Sequence, residues 1–228
     1  ALASTSKADF TLAKLLPFEV PPSLSLSEPD EVLYEFCRRH SFRVWVRGPY
    51  HDAVALSTWR ELAHVRKGLE SKWKTDELSL SAHVRGLEES VCIAAVRGRI
   101  ADAVHMKKRV TTPDGKTWAG RVTSVPQALL DPIEKAVRAL EWTGGAEFEF
   151  LRGVDDRLWL MEVNPRFPAW IHGATLTGRN LPAALYGMAR SIPFATPSAT
   201  AGHEFTRVVS EIPVRWDLPL PIPAEPHH

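Results

Sequence analysis

Residues 158–170 read LWLMEVNPRFPAW, an apolar run carrying a carboxylate at Glu162, an amide at Asn164 and, past Pro165, a guanidinium at Arg166. A second run, GAEFEFLRG at 145–153, lies just upstream. Strand alternation puts Ala146, Phe148 and Phe150 on one face and Glu147 and Glu149 on the other. In the later run the same alternation groups Leu158, Leu160, Glu162 and Asn164. A hairpin centred on Asp155 and Asp156 then sets Glu149 opposite Glu162, and Glu147 opposite Asn164. Opposed carboxylates about 5 Å apart repel by about 3 kcal/mol at an effective dielectric near 20. Buried, such a pair demands a cation. Carboxylates beside an amide oxygen, with no His or Cys near, are hard donors suited to magnesium, which keeps waters and is shared with nucleotide phosphates. The alternative is a solvated face of a one-sided sheet, and a one-residue slip in register removes the pairing.

Outward from this hairpin the chain reads as two α+β lobes. SEPDEVLYEFCRRH is a helix with Ser27 as its cap and Val32, Leu33 and Phe36 on one face. FRVWVRG alternates as a strand, and TWRELAHVRKGLES opens with Thr58 and Glu61 as a capping box. From about Leu78 strands dominate: LSLSAHV, ESVCIAAV, RIADAVHMKKRV and WAGRVTS, with turns at Arg97-Gly98 and TTPDGKT. DPIEKAVRALEW predicts a helix with Asp131 as cap and Pro132 at its first position. A last helix starts at Asn180, and FTRVVSEIPV is a strand-like stretch that could extend a sheet edge. These elements divide the chain into a smaller N-terminal lobe at 1–77, a C-terminal lobe at 78–195 and a Pro-rich tail at 196–228.

The 228 residues include 28 Lys and Arg against 27 Asp and Glu, a net charge of +1 that argues against a broad nucleic-acid footprint. Cys37 and Cys92 form no CxxC, so a reducing cytoplasm is the expected setting. No apolar run approaches the roughly 20 residues of a membrane helix, and no membrane partner is expected.

EVNPRF at 162–167, preceded by Glu149 and followed by TLTGRNLPAAL, resembles the ATP-grasp superfamily of carboxylate-amine ligases, which includes carbamoyl-phosphate synthetases, D-alanine ligases and biotin carboxylases. The resemblance covers residues 1 to about 190. It implies an ATP-grasp fold of class α+β, two lobes whose antiparallel sheets grip ATP. It implies magnesium, with Mn2+ as the alternative, on Glu149, Glu162 and Asn164, and Arg166 near the transferring phosphate or the acyl substrate. Lys7 resembles the phosphate-contacting lysine of the first helix. Arg47 stands where a second such lysine is usual, and it offers a planar fork in place of a point charge. No glycine-rich loop follows it. Ala82 to Val84 resemble the hinge that reads the adenine edge, Ser81 stands where relatives have Glu or Gln, and Glu88 resembles the ribose-binding acid. Within the basic cluster Lys107, Lys108, Arg109, Lys116 and Arg121, the family's acyl-phosphate arginine is matched to Arg121 and Arg109. Phe167, Trp170 and His172 line an acceptor pocket or belong to the core.

The resemblance implies an ATP-dependent ligase that activates a small-molecule carboxylate as an acyl phosphate for attack by an amine. Many relatives carry a further domain before this segment, so a partner subunit or an N-terminal domain is expected to complete the site, and a homodimer is a further expectation. The competing class is a nucleotide-binding module that needs a partner in order to catalyse.

Overall fold

The computed structural model describes residues 16–48, 53–75, 77–113, 115–194 and 203–208. Lys7, and the helix read around it, lie outside the described residues.

Two antiparallel sheets organise the molecule. The smaller contains β1 (Ser23–Ser25), β2 (Val44–Arg47), β3 (Ala53–Leu56) and β4 (Ser79–Ala82) in the order β1-β4-β2-β3. Alternation along β2 buries Val44 and Val46 with Leu80 and Ala82 of β4. On that face pack α1 (Asp30–Arg39), through Leu33, Phe36 and Cys37, and α2 (Leu62–Trp73), through Leu62 and Leu69. Trp45 and Arg47 are left on the opposite face. Strand β4 lies beyond the division expected at residue 77, yet it hydrogen-bonds to β1 and β2. The chain therefore crosses between the sheets at 83–85.

The larger sheet comprises β5 (Gly86–Val96), β6 (Arg99–Thr111), β7 (Thr117–Thr123), β8 (Gly144–Gly153), β9 (Leu158–Asn164) and β10 (His203–Thr206), in the order β10-β7-β6-β5-β8-β9. The β5–β6 turn is closed at Gly98, whose φ of +75° favours a residue without Cβ. Strand β10 adds antiparallel to β7; of the stretch read as strand-like it holds only Phe205 and Thr206, and residues 209–214 lie outside the described residues. One face of this sheet buries Val91, Ile93, Phe148, Phe150 and Leu160 beneath α3 (Gln127–Ala139), which contributes Leu129, Ile133 and Val137. The other buries Cys92, Val104, Met106 and Trp170 beneath α4 (Ile171–Leu176) and α5 (Leu181–Ala189). Near α5, Arg179 pairs with Asp102 and donates to the Ala103 carbonyl at 2.7 Å, tying the α4–α5 connection to β6.

Helix starts are where the sequence reading needs correction. Helix α1 begins at Asp30 behind Pro29 with no side-chain cap, so Ser27 is not its cap; it hydrogen-bonds Ser25 instead. Helix α3 begins four residues before Asp131, which leaves Pro132 inside it. The earlier start buries Leu129 against Ile133, apolar contact that outweighs the one backbone bond Pro132 cannot make. At the start of α2, Glu61 does accept the Ser57 N–H at 3.0 Å, but the Thr58 hydroxyl donates to Glu61 rather than capping a backbone N–H. The start at Asn180 holds: its side chain accepts from the Ala183 N–H at 3.1 Å.

Candidate functional site

The β8–β9 hairpin pairs Glu149 with Glu162 and Glu147 with Asn164, the register the alternation predicts. Beyond Glu149 the register shifts by one, so that Phe150 faces Leu160 and the turn centres on Asp155. Met161 is the extra residue of this β-bulge. The bulge corrects one expectation: Leu160 does not share the face of Glu162 but lies in the core with Phe150. A strict period of two would have left Leu160 among the carboxylates; the bulge buries it and keeps Glu162 and Asn164 on the polar side.

These carboxylates floor a cavity of about 720 Å3. Its roof comes from the small sheet, through Trp45, Arg47 and Ala53, and its side from the crossing His83–Gly86. The floor holds Glu88, Lys108, Glu149, Met161 and Glu162, with Pro113 and Gly115 of the β6–β7 hairpin at the rim. At Gly86 a Cβ would lie 2.4 Å from the Arg152 carbonyl oxygen, so glycine permits the close approach of crossing and sheet.

A cation sits in the carboxylate cluster, and it is a side chain. The Lys108 ammonium lies 2.5 Å from Glu88 Oε2 and 3.3 Å from Glu149 Oε2. Burial opposes its charge, but Glu149 and Glu88 more than offset that, and its pKa is raised. The Asn164 amide donates to Glu149 at 3.0 Å and to Glu147 at 3.4 Å. Glu147 is buried and also accepts the Trp170 indole N–H at 2.7 Å. Burial and the repulsion of Glu149 push its carboxyl up to about 7. Across the cavity, Arg47 donates to Ser81 Oγ at 3.0 Å. Burial lowers the Arg47 pKa, while the charge of Glu162 opposes that shift.

Of the residues singled out in the sequence, Arg47, Val84, Glu88, Glu149 and Glu162 line this one cavity, and Asn164 contacts it through Glu149. Ser81 is buried behind Arg47, and Ala82 is a core residue whose N–H bonds the Pro22 carbonyl at 2.8 Å. Arg166 is exposed just past β9, near enough for its charge to act on Glu147. Arg109 and Arg121 are not brought into the cavity. Both face Glu204 of β10, at 3.0 and 3.9 Å, because the added edge strand supplies a carboxylate there. Trp170 is core, Phe167 packs on Gly145, and His172 is exposed. Two further residues line this site: Lys108, which the sequence offers only as one of a basic cluster, and Trp45, which sequence reasoning missed. Alternation along β6, with Val104 and Met106 facing Cys92 and Ser90, was the available signal for Lys108.

Among the described residues no three His, Cys, Asp or Glu side chains converge as a preformed metal site. The donor set nonetheless suits a hard divalent cation, with Glu149 and Glu162 opposed and the Asn164 amide able to present its oxygen by a half-turn. No helix among the described residues is long and apolar enough to cross a membrane.

By sequence, neither a family model nor a curated protein matches the chain. Solved structures do. The biotin carboxylase–beta-gamma-ATP complex from Campylobacter jejuni superposes with a TM-score of 0.65 at 14% identity, over 87% of this chain and 48% of that one. The biotin carboxylase domain of the Hydrogenobacter thermophilus 2-oxoglutarate carboxylase, solved with MgADP, ADP and bicarbonate, gives 0.68 at 11% identity, over 86% and 47%. N5-carboxyaminoimidazole ribonucleotide synthetase from Thermus thermophilus gives 0.71 at 16% identity, over 92% and 59%. The chain thus spans roughly half the length of these structures. Biotin carboxylase and the synthetase are both ATP-grasp enzymes, and the two sheets with a carboxylate-floored cavity between them give this chain the ATP-grasp fold.

Proposed function

We propose that the chain is the nucleotide-gripping part of an ATP- and magnesium-dependent ligase that converts a carboxylate to an acyl phosphate for attack by an amine. The carrying observation is the hairpin register, which puts Glu149 against Glu162 on the floor of a cavity roofed by Arg47. Glu149, Glu162 and the Asn164 oxygen would hold the cation, which supplies charge neutralisation at the phosphates. Arg47 from above and Arg166 from the end of β9 add positive charge, and Lys7 is assigned to the same role. Trp45 and the backbone at 82–84 would border the base, with Glu88 toward the ribose. Phosphoryl transfer asks little covalent chemistry of the protein, so the contribution of these residues is alignment and preorganised charge. Arg109 and Arg121 are assigned to the acyl-phosphate end, a role that requires them to leave Glu204.

The test is magnesium-dependent ADP release with pooled carboxylates and amines. Glu162→Gln should reduce it at least about 100-fold, the scale of losing one preorganised electrostatic contact, with far-UV circular dichroism unchanged. Normal turnover by this variant would remove Glu162 from the site.

A second reading, a nucleotide-binding module that needs a partner for catalysis, is favoured by Arg47, which is directed to Ser81 instead of standing as a free point charge. Calorimetry separates the two. Mg-ATP binding without ADP release across the substrate panel supports the module, and substrate-stimulated release supports the ligase.

A further inference from the structure

The Lys108–carboxylate contact is more than a surface ion pair. Lys108 side-chain exposure is 10%, against 27% for Glu149 and 43% for Glu88. It reaches the cluster from β6, and touches two acids that belong to different strands, β5 and β8. Glu149 is satisfied on both oxygens, Oε1 by the Asn164 amide and Oε2 by Lys108. A divalent cation entering between Glu149 and Glu162 meets a single positive charge already at contact with one of its ligands. Two cationic groups cannot share that carboxylate without strong mutual repulsion. The Asn164 amide, presenting its NH2 to Glu149 and Glu147, is turned the wrong way for a metal as well.

We propose that Lys108 is the resident counter-ion of the carboxylate cluster, and that it releases Glu149 as a divalent cation enters, keeping Glu88. This rests on the reading of Glu149 and Glu162 as cation ligands. Without the cation, Lys108 neutralises the charge of Glu88 and Glu149 and keeps the cleft from opening under its own charge. With the cation, the freed ammonium stays in the cavity and Asn164 turns its oxygen inward. Lys108 therefore acts as a positioning residue that sets how strongly the empty site attracts metal.

The experiment uses the full chain without nucleotide and Mn2+ alone as the probe, with free Mn2+ read by electron paramagnetic resonance. Lys108→Met and Lys108→Gln should bind Mn2+ roughly tenfold more tightly than the wild type, the scale of removing one charge near a dication. Lys108→Arg, which keeps the charge, should stay near the wild-type value. In EDTA the two neutral variants should melt below the wild type, and Mn2+ should raise their melting temperature more than it raises that of the wild type. A merely structural lysine would lower stability without tightening metal binding. Unchanged or weaker Mn2+ binding in both neutral variants, while Glu149→Gln weakens it in the wild-type background, overturns the counter-ion role and leaves the ligand assignment standing. Mn2+ binding indifferent to Glu149→Gln overturns the ligand assignment, and the exchange with it.

Discussion

Glu88 and Glu89 are neighbours in β5, yet they belong to two different kinds of carboxylate cluster on opposite faces of the same sheet. Glu89 is 2% exposed and accepts two bonds from the Arg152 guanidinium, at 2.6 and 3.2 Å. His105, also buried, brings Nε2 within 3.4 Å of it while Nδ1 meets the Thr123 hydroxyl. Burial works against the Glu89 charge, but His105 and Arg152 outweigh it and hold the carboxyl below its ordinary value. Glu88 faces the cavity and shares one lysine with Glu149, in a cluster where Glu147 is pushed up to about 7. The closed network satisfies its acid from both sides; the open one has more carboxylates than cations. Strained, partly open charge is where a ligand can be accommodated, whereas a saturated buried network has nothing left to offer one.

The sharpest way to break this contrast is to remove the cation of the closed network. Arg152→Met leaves Glu89 buried with only His105 near it, and losing one partner of a buried pair costs about 3 kcal/mol or more. Arg152 is a quarter exposed, which places the expectation at the low end of that range. Urea denaturation measures it. A loss below about 1 kcal/mol would show that Glu89 readily finds water or a proton, and the two faces would then differ less than their geometry implies.

Next in size is Glu147, whose folded pKa of about 7 lies above its ordinary 4.5. A carboxyl with a raised folded pKa binds its proton more tightly in the native state, so its contribution is favourable at low pH and is lost as pH rises from 4.5 to 7. The full span is on the order of 3 kcal/mol. Glu147→Gln in EDTA should therefore leave stability nearly unchanged at pH 5 and raise it by about 2 kcal/mol at pH 8, since the glutamine oxygen still accepts from Trp170. Glu89 has the opposite sign: its stabilisation is present above its unfolded pKa and fades as pH falls through the lowered folded value. Melting curves from about pH 4 to 8 on the wild type and Glu147→Gln separate the two. If the variant's advantage did not grow with pH, Glu147 would be an ordinary ionised acid.

How much of this was legible in the sequence follows from the range of each interaction. The hairpin was readable because period-two alternation and two acids at matching positions are local facts. The bulge at Met161 was not, since an extra residue leaves no mark in a pattern of alternation; it shows only when Leu160 is found beside Phe150. The acid pair calls for a cation, with magnesium the expected one; the Lys108 contact to Glu149, from 41 residues away in the chain, is a long-range fact that the local pattern does not carry. Strand β4 looked like the start of the larger sheet because four residues of alternating Ser and apolar character fit either one. Its partners β1 and β2 decide the matter, and β1 is a three-residue strand too short to carry a pattern. The start of α3 failed where the Asp131-Pro132 signal competed with burial of Leu129 just before it, while α1 begins later than Ser27 suggests, behind Pro29.

The smallest effect is expected at the far edge of the same sheet, where Arg109 pairs with Glu204 at 3.0 Å and both side chains are about half exposed. Solvent screens such a pair, and its worth is typically under about 1 kcal/mol. Arg109→Ala should lower stability by at most about 0.5 kcal/mol, an amount that about 1 M NaCl should erase. Its effect on ADP release is the informative part. The assignment of Arg109 to the acyl-phosphate end requires it to leave Glu204, so Glu204→Gln should aid turnover while Arg109→Ala suppresses it. If instead both variants turn over as the wild type does, the edge strand β10 merely tidies surface charge, and the chemistry belongs to the open cluster alone.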